Sequence, residues 1–285
     1  MITYSEVSTA LLLDSFTEAT AAYSLRKVRS DYVGGPIVVR RSSDNTTVSV
    51  GFTAAGELDT ASLLSFCGSG DGFVQRWYDQ AGSNDLVQNS TSAQPQIVAS
   101  GAVVMVNNHP AVDFNGTSHY MDKASVTLNP SSNAVLTFAG VFQLDTVSTG
   151  QYIAAQWNGT TSNQVFGLLN LSAASLRFMA RFQNGSLSRV NSGSGTTAAN
   201  TQYIGVGQFK QNHSKGVLND TDYTDTNVNS TVNHATSTFA IGRRPDTGAN
   251  YTNGKVQEFC VWSQATNTHD RNALSDAIDG HYGTY

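Results

Sequence analysis

The chain has 285 residues, 39% of them hydrophobic and only 13% charged, with a formal net charge of −5. Lys and Arg gather only in short groups, at Arg26-Lys27-Val28-Arg29, Arg40-Arg41 and Arg243-Arg244, too small for the basic footprint that nucleic acid requires. The longest apolar runs, such as residues 134–142, are too short to span a bilayer, and residues 1–25 lack the basic start and unbroken apolar core of a secretory signal.

Val7, Leu11 and Leu12 are spaced to share one helix face, so residues 1–21 are expected to form an N-terminal arm or helix that packs on the domain or docks on a partner. Residues 22–285 show no internal repeat and no linker, which predicts one domain. Gly34-Gly35-Pro36 marks a turn before a strand over 37–40. Asp59 is a natural N-cap for a short helix over 59–66, with Leu63, Leu64 and Phe66 on its buried side. The segment 73–87, FVQRWYDQAGSNDLV, reads as a strand entering a tight polar turn at Asp79 and leaving it at Leu86.

From Ile97 onward nearly everything reads as strand. Residues 107–110 form a hairpin turn between 103–106 and 111–114, and 134–144 is apolar on both faces, as in a central strand. Residues 175–183 alternate, with Leu176, Phe178, Ala180 and Phe182 on one side and Arg177, Met179, Arg181 and Gln183 on a solvated one. A Ser/Gly/Thr-rich loop follows at 185–200, then strands at 203–209 and 239–243. A turn at Asn253-Gly254 opens a strand over 255–262, and a helix over 270–279 starts at a Thr268 cap and stops at Gly280. Cys67 and Cys260 are expected to be buried thiols rather than a bridge.

The 73–87 segment, together with 22–26 (AYSLR), 40–44 (RRSSD), 58–61 (LDTA) and 66–68 (FCG), resembles the opening of the catalytic domain of family 54 α-L-arabinofuranosidases. The turn and strand at 253–262 are similar to the closing strand of laminin-G and pentraxin-like sandwiches. The resemblance implies an all-β, concanavalin A-like jelly-roll β-sandwich of antiparallel strands with short peripheral helices. It also implies two catalytic carboxylates, a Glu in a Met-Glu-Ala-like segment and an Asp after an Ile-Gly-Gly step. The segment here that matches the first is 162–167, which holds Gln164 and no Glu; a Gln cannot titrate or serve as the nucleophile. At the second, 240–246, Arg244 stands where the Asp falls, and Asp246 takes that place only after a shift in register. The adjacent cysteines of the family's sugar site are missing as well.

No catalytic residue is therefore assigned. Carbohydrate binding without hydrolysis needs an aromatic to stack on a sugar and polar groups for its hydroxyls. Trp157, Arg244, Asp246 and Tyr251 are the ligand-binding candidates, on two loops that interrupt strands. Asp246 and Glu258 are the first suspects if hydrolysis survives. The acidic stretch 220–225 lacks the Gly and terminal Glu of an EF-hand loop, and no two of the six histidines stand at metal-ligand spacing, so no metal and no cofactor are expected. With no signal peptide on a sandwich of the secreted type, the leading expectation is a non-catalytic virion surface protein of a bacteriophage, made in the host cytoplasm. Its partners would be capsid or tail proteins and a host surface glycan. The alternatives are a diverged glycoside hydrolase acting on host polysaccharide and a stand-alone carbohydrate-binding module. Exposed sandwich edges are compatible with homo-oligomers.

Overall fold

A computed structural model describes residues 10–130, 135–157, 159, 164–224, 230–264 and 269–285. Two layers of antiparallel strands face each other, as expected for a jelly-roll sandwich. One layer is built on the strand Val135–Leu144, which pairs with Gln202–Lys210 on one side and Asn253–Gln264 on the other. Beyond Gln202–Lys210 lie His213–Leu218 and Thr221–Thr224. The far side of Asn253–Gln264 takes Ala19–Ser24 and Val112–Asn115, one after the other along its length. The second layer runs Leu187–Asn191, Ser175–Arg181, Phe166–Leu171, Gln151–Gln156, Ser237–Ile241 and Met121–Val126. It continues through Leu86–Val87 to Gly72–Trp77, Ile37–Arg41 and Thr47–Val50.

The layers meet on phenylalanine. Phe138, Phe166, Phe178, Phe209, Phe239 and Phe259 are fully buried, with Phe138 stacked 5.1 Å from Phe166 and Phe239 lying 5.7 Å from Phe259. Burying one such ring contributes about 1.5–3 kcal/mol, and offset ring pairs add about 0.5–1.5 kcal/mol. A second apolar cluster covers the back of the first layer. Ala139, Val141, Ile204, Val206, Cys260 and Trp262 pack there against Leu274, Ile278 and Tyr282 of the helix Arg271–Tyr282. This explains why the strand Val135–Leu144 is apolar on both faces.

The polar turn of the 73–87 segment is a clamp. Asp79 is buried; Oδ1 accepts from the Ala22 and Ala81 N–H groups (2.8 and 2.9 Å) and Oδ2 from that of Asn84 (3.0 Å). Gln80 accepts from the Val28 N–H and donates to the Ser24 and Arg26 carbonyls, and Tyr23 donates its hydroxyl to the Asn84 carbonyl (2.6 Å). Side-chain groups thus replace a ladder where the chain passes between strands.

Several expectations are corrected. Residues 12–15 make one helical turn and Ala19–Ser24 is a strand, so 1–21 is not one helix; residues 1–9 lie outside the described residues. Leu12 and Leu13 are held by the C-terminal helix cluster, and Leu13 donates to the Val28 carbonyl. The 185–200 stretch contains the strand Leu187–Asn191, since Val190 can bury on the sandwich. Met179 is buried and Arg181 half-buried, so that face of Ser175–Arg181 is not simply solvated. The last helix is capped by Asp270, which accepts from Asn272 and Ala273, and runs through Gly280 to a left-handed Gly283; Thr268 lies outside the described residues. Asp59 caps the helix Thr60–Cys67 as expected. Both cysteines are free and buried.

Candidate functional site

Trp157 follows the strand Gln151–Gln156, its backbone N–H donating to the Thr238 carbonyl at 2.8 Å. Gly242 ends the neighbouring strand at φ +95°; a Cβ there would lie 2.3 Å from the Phe114 ring, so only glycine fits. The turn beyond it is closed by the Arg244 N–H to the Ala249 carbonyl (3.0 Å) and the Gly248 N–H to the Arg244 carbonyl (3.2 Å). It brings the Arg244 guanidinium over the Trp157 ring, 4.0 Å from its centroid. Arg244 also grips Asp246, with Nη2 donating to Oδ2 at 2.7 Å and Nε 2.7 Å from Oδ1. Gly159 backs onto the pair: a Cβ there would sit 3.8 Å from the Asp246 Cβ. Residues 158 and 160–163 of this loop lie outside the described residues.

The pair is sheltered. The Asp246 side chain is 4% exposed and that of Arg244 28%, while Trp157 is half-buried. Burial pushes the nearby Tyr152 phenol above its ordinary range; Arg244 opposes that shift and Asp246 adds to it. An indole, a guanidinium fork and a carboxylate thus converge within one loop pair. They offer an apolar plate together with donors and acceptors held in fixed geometry, which suits a polyhydroxylated ligand.

Tyr251 belongs to an adjoining cluster. Its ring lies 6.4 Å from Tyr120, over which the Arg243 guanidinium sits at 3.4 Å while Nη2 donates to Asp122 Oδ2 at 2.8 Å. Burial pushes the Asp122 carboxyl upward, against the pull of Arg243. Successive arginines therefore serve two aromatic–carboxylate groups. The expectation pairing Tyr251 with Arg244 and Asp246 missed Tyr120, Asp122 and Arg243. The adjacent pair Arg243-Arg244 and the nearby Asp246 were visible in the sequence, but Trp157, Tyr120 and Asp122 lie more than 80 positions from the arginines they meet, so spacing carried no signal for those contacts.

The other carboxylate suspect is structural. Glu258 is buried beneath the C-terminal helix, where Arg26 contacts it through Nε (2.9 Å) and Nη2 (3.2 Å) and Ser24 and Tyr282 donate to Oε2. None of these partners belongs to the Asp246 loop. Gln164, in the segment matching the nucleophile strand, is buried and committed: its Oε1 accepts from Arg181 Nη2 (2.9 Å) and its Nε2 points at Met179 Sδ (3.7 Å). In the acidic stretch, Asp222 contacts Arg271 at 3.1 Å and also accepts from Asn272, which ties a hairpin to the last helix; 225 lies outside the described residues.

A family profile described as "Alpha-L-arabinofuranosidase B, catalytic" matches residues 13–256. No curated protein matches the chain. Among solved structures, an arabinofuranosidase complexed with arabinofuranosyl-alpha-1,2-xylobiose superposes with a TM-score of 0.62 at 14% identity, covering 95% of this chain and 64% of that one. A sialidase of Trypanosoma rangeli gives 0.50 at 12% identity over 73% of this chain and 31% of that one. The binding domain of Paraclostridial Mosquitocidal Protein 1 gives 0.56 at 10% identity, with 73% and 50% covered. The chain thus spans just under two thirds of the arabinofuranosidase structure, and at these identities the likeness establishes the fold.

Proposed function

We propose that this chain, which belongs to the alpha-L-arabinofuranosidase B catalytic family, recognises a glycan at the Trp157–Arg244–Asp246 loops. The observation that carries the reading is the Arg244 guanidinium fixed between an indole face and a sheltered carboxylate, on a fold that its family uses for sugars. A sugar ring packs on the part of the indole that Arg244 leaves open, and its hydroxyls accept hydrogen bonds from the guanidinium, which Asp246 holds in place. Hydrolysis by paired carboxylates needs an acid and a nucleophile or base about 5–9.5 Å apart. Here the segment matching the nucleophile carries a committed Gln164, and the one carboxylate of the loop is ion-paired.

Hydrolysis is the second reading. It is favoured by the family match over residues 13–256, with Asp246 two residues beyond the position at which the sequence resemblance puts the family's acid. A glycan array on the purified chain, with released sugar measured in the same wells, separates the two. Binding without release, lost in Trp157→Ala, supports recognition. Release of arabinose or another sugar moves the assignment to hydrolysis, and silence in both channels overturns both. We further propose a place on a virion surface, with capsid or tail proteins as partners and a host glycan as ligand. Its support is the resemblance of residues 22–87 and 278–285 to phage structural proteins. Proteomics of purified particles tests it.

A further inference from the structure

Glu57, His109 and His281 are 52 and 172 positions apart in the chain, yet each offers one ligand atom to a common point, and these atoms lie within 4.8 Å of one another. His281 sits in the last turn of the helix Arg271–Tyr282. His109 opens the second strand of a two-residue hairpin whose turn, Asn107-Asn108, takes positive φ at both positions. Glu57 ends the loop before the Asp59 cap. The imidazole rings are 4.5 Å apart between centroids, and His281 Nδ1 lies 3.8 Å from Glu57 Oε1.

We infer that these three side chains form a site for a divalent transition metal of the Zn2+ class. Two imidazoles and a carboxylate are a ligand set that zinc accepts, with a fourth position left for water or another ligand. Ligand atoms around a tetrahedral ion with bonds of about 2.0–2.1 Å stand roughly 3.3 Å apart. The present separations, all within 4.8 Å, exceed that value by no more than about 1.5 Å, and the 3.8 Å from His281 Nδ1 to Glu57 Oε1 exceeds it by about 0.5 Å. Glu57, whose side chain is 44% exposed, has room to close its own share of that gap.

Three further observations agree. Among the described residues, no hydrogen bond occupies either ring. Of the two cations that line the adjoining cavity, Arg26 and Lys27, Arg26 is already ion-paired with Glu258. A cavity of about 490 Å³, whose lining includes Leu11, Arg26, Lys27, Glu57, Ala277 and His281, opens beside the cluster and gives an ion its route in. A bound ion would tie the last helix to the hairpin and to the loop before Thr60, three elements distant in sequence.

The test uses the full chain without a histidine tag, stripped with chelator. Titration with ZnCl2 by calorimetry is expected to give one saturable equivalent, and Co2+ the visible absorption of a four-coordinate site. Thermal midpoints rise with Zn2+ and are unmoved by Ca2+. His281→Ala and His109→Ala each weaken Zn2+ binding at least about tenfold, the lower end of what even an outer-shell change costs. Glu57→Gln, on an exposed loop, weakens it while leaving the metal-free thermal midpoint unchanged. No saturable Zn2+ binding, binding indifferent to all three substitutions, or equal response to Ca2+ overturns the inference.

Discussion

Arg244 shows how much one side chain carries in this molecule. Its guanidinium covers an indole and holds a carboxylate that is 4% exposed. Arg244→Ala leaves that carboxylate without its counter-charge, which is expected to cost about 3 kcal/mol or more in a urea titration and to abolish glycan retention. Arg244→Lys keeps the charge but loses the planar fork. It is expected to recover most of the stability and little of the binding, a split that a purely structural arginine would not produce. At this scale the sequence was partly legible. Aromatic and charged residues that interrupt strands pointed to Trp157, Arg244 and Asp246, and the structure brings these three side chains together. The neighbour of Tyr251 on its other side, Tyr120, was not legible, because it comes from a distant segment that no local pattern connects to it. His109 and His281 were illegible for the same reason: three-dimensional convergence across 172 positions leaves no spacing to read.

The elements explain why the segment 73–87 is so distinctive. Its polar residues are committed to backbone groups of residues 22–28, so its pattern reports a fold constraint and not chemistry. Asp79→Ala strips three backbone N–H groups of their acceptor. At about 1–3 kcal/mol for each buried group left unsatisfied, a loss of about 3 kcal/mol or more is expected, read from the denaturant midpoint. Asp79→Asn keeps one acceptor oxygen and is expected to lose about half as much. The strands and caps were legible where local chemistry decides, as at Asp59, whose carboxylate caps Thr60–Cys67. They were misread where packing overrides it. Gly280 suggests a stop, but burial of Tyr282 against Arg26 and Glu258 draws the helix one turn further, and Gly283 takes the left-handed cap.

Across the whole molecule, acid sensitivity follows from histidines sheltered from water. Burial, reinforced by Arg271, Lys210 and Lys215, holds His213 at about 4 against an ordinary 6.5. Between those values the unfolded chain takes up the proton and the folded one does not, so stability is complete above pH 6.5 and declines as pH falls through 4. His213→Gln should therefore lose less stability than the parent between pH 7 and pH 4.5, by about 1 kcal/mol once solvent screening is allowed for. Urea midpoints at the two pH values measure the difference. The sandwich itself was legible in alternation, turn residues and apolar runs; the order in which its strands pair was not. That order has a consequence during synthesis. The strand Asn253–Gln264 lies between Val135–Leu144 on one side and Ala19–Ser24 and Val112–Asn115 on the other. A growing chain that has passed residue 200 still carries both flanking edges open and half of its phenylalanine interface unmatched. Long-range pairing of this kind closes slowly. The nascent protein must stay shielded from self-association until its last long strand arrives, and the ribosome-bound intermediate, not the finished sandwich, is the species most exposed to aggregation.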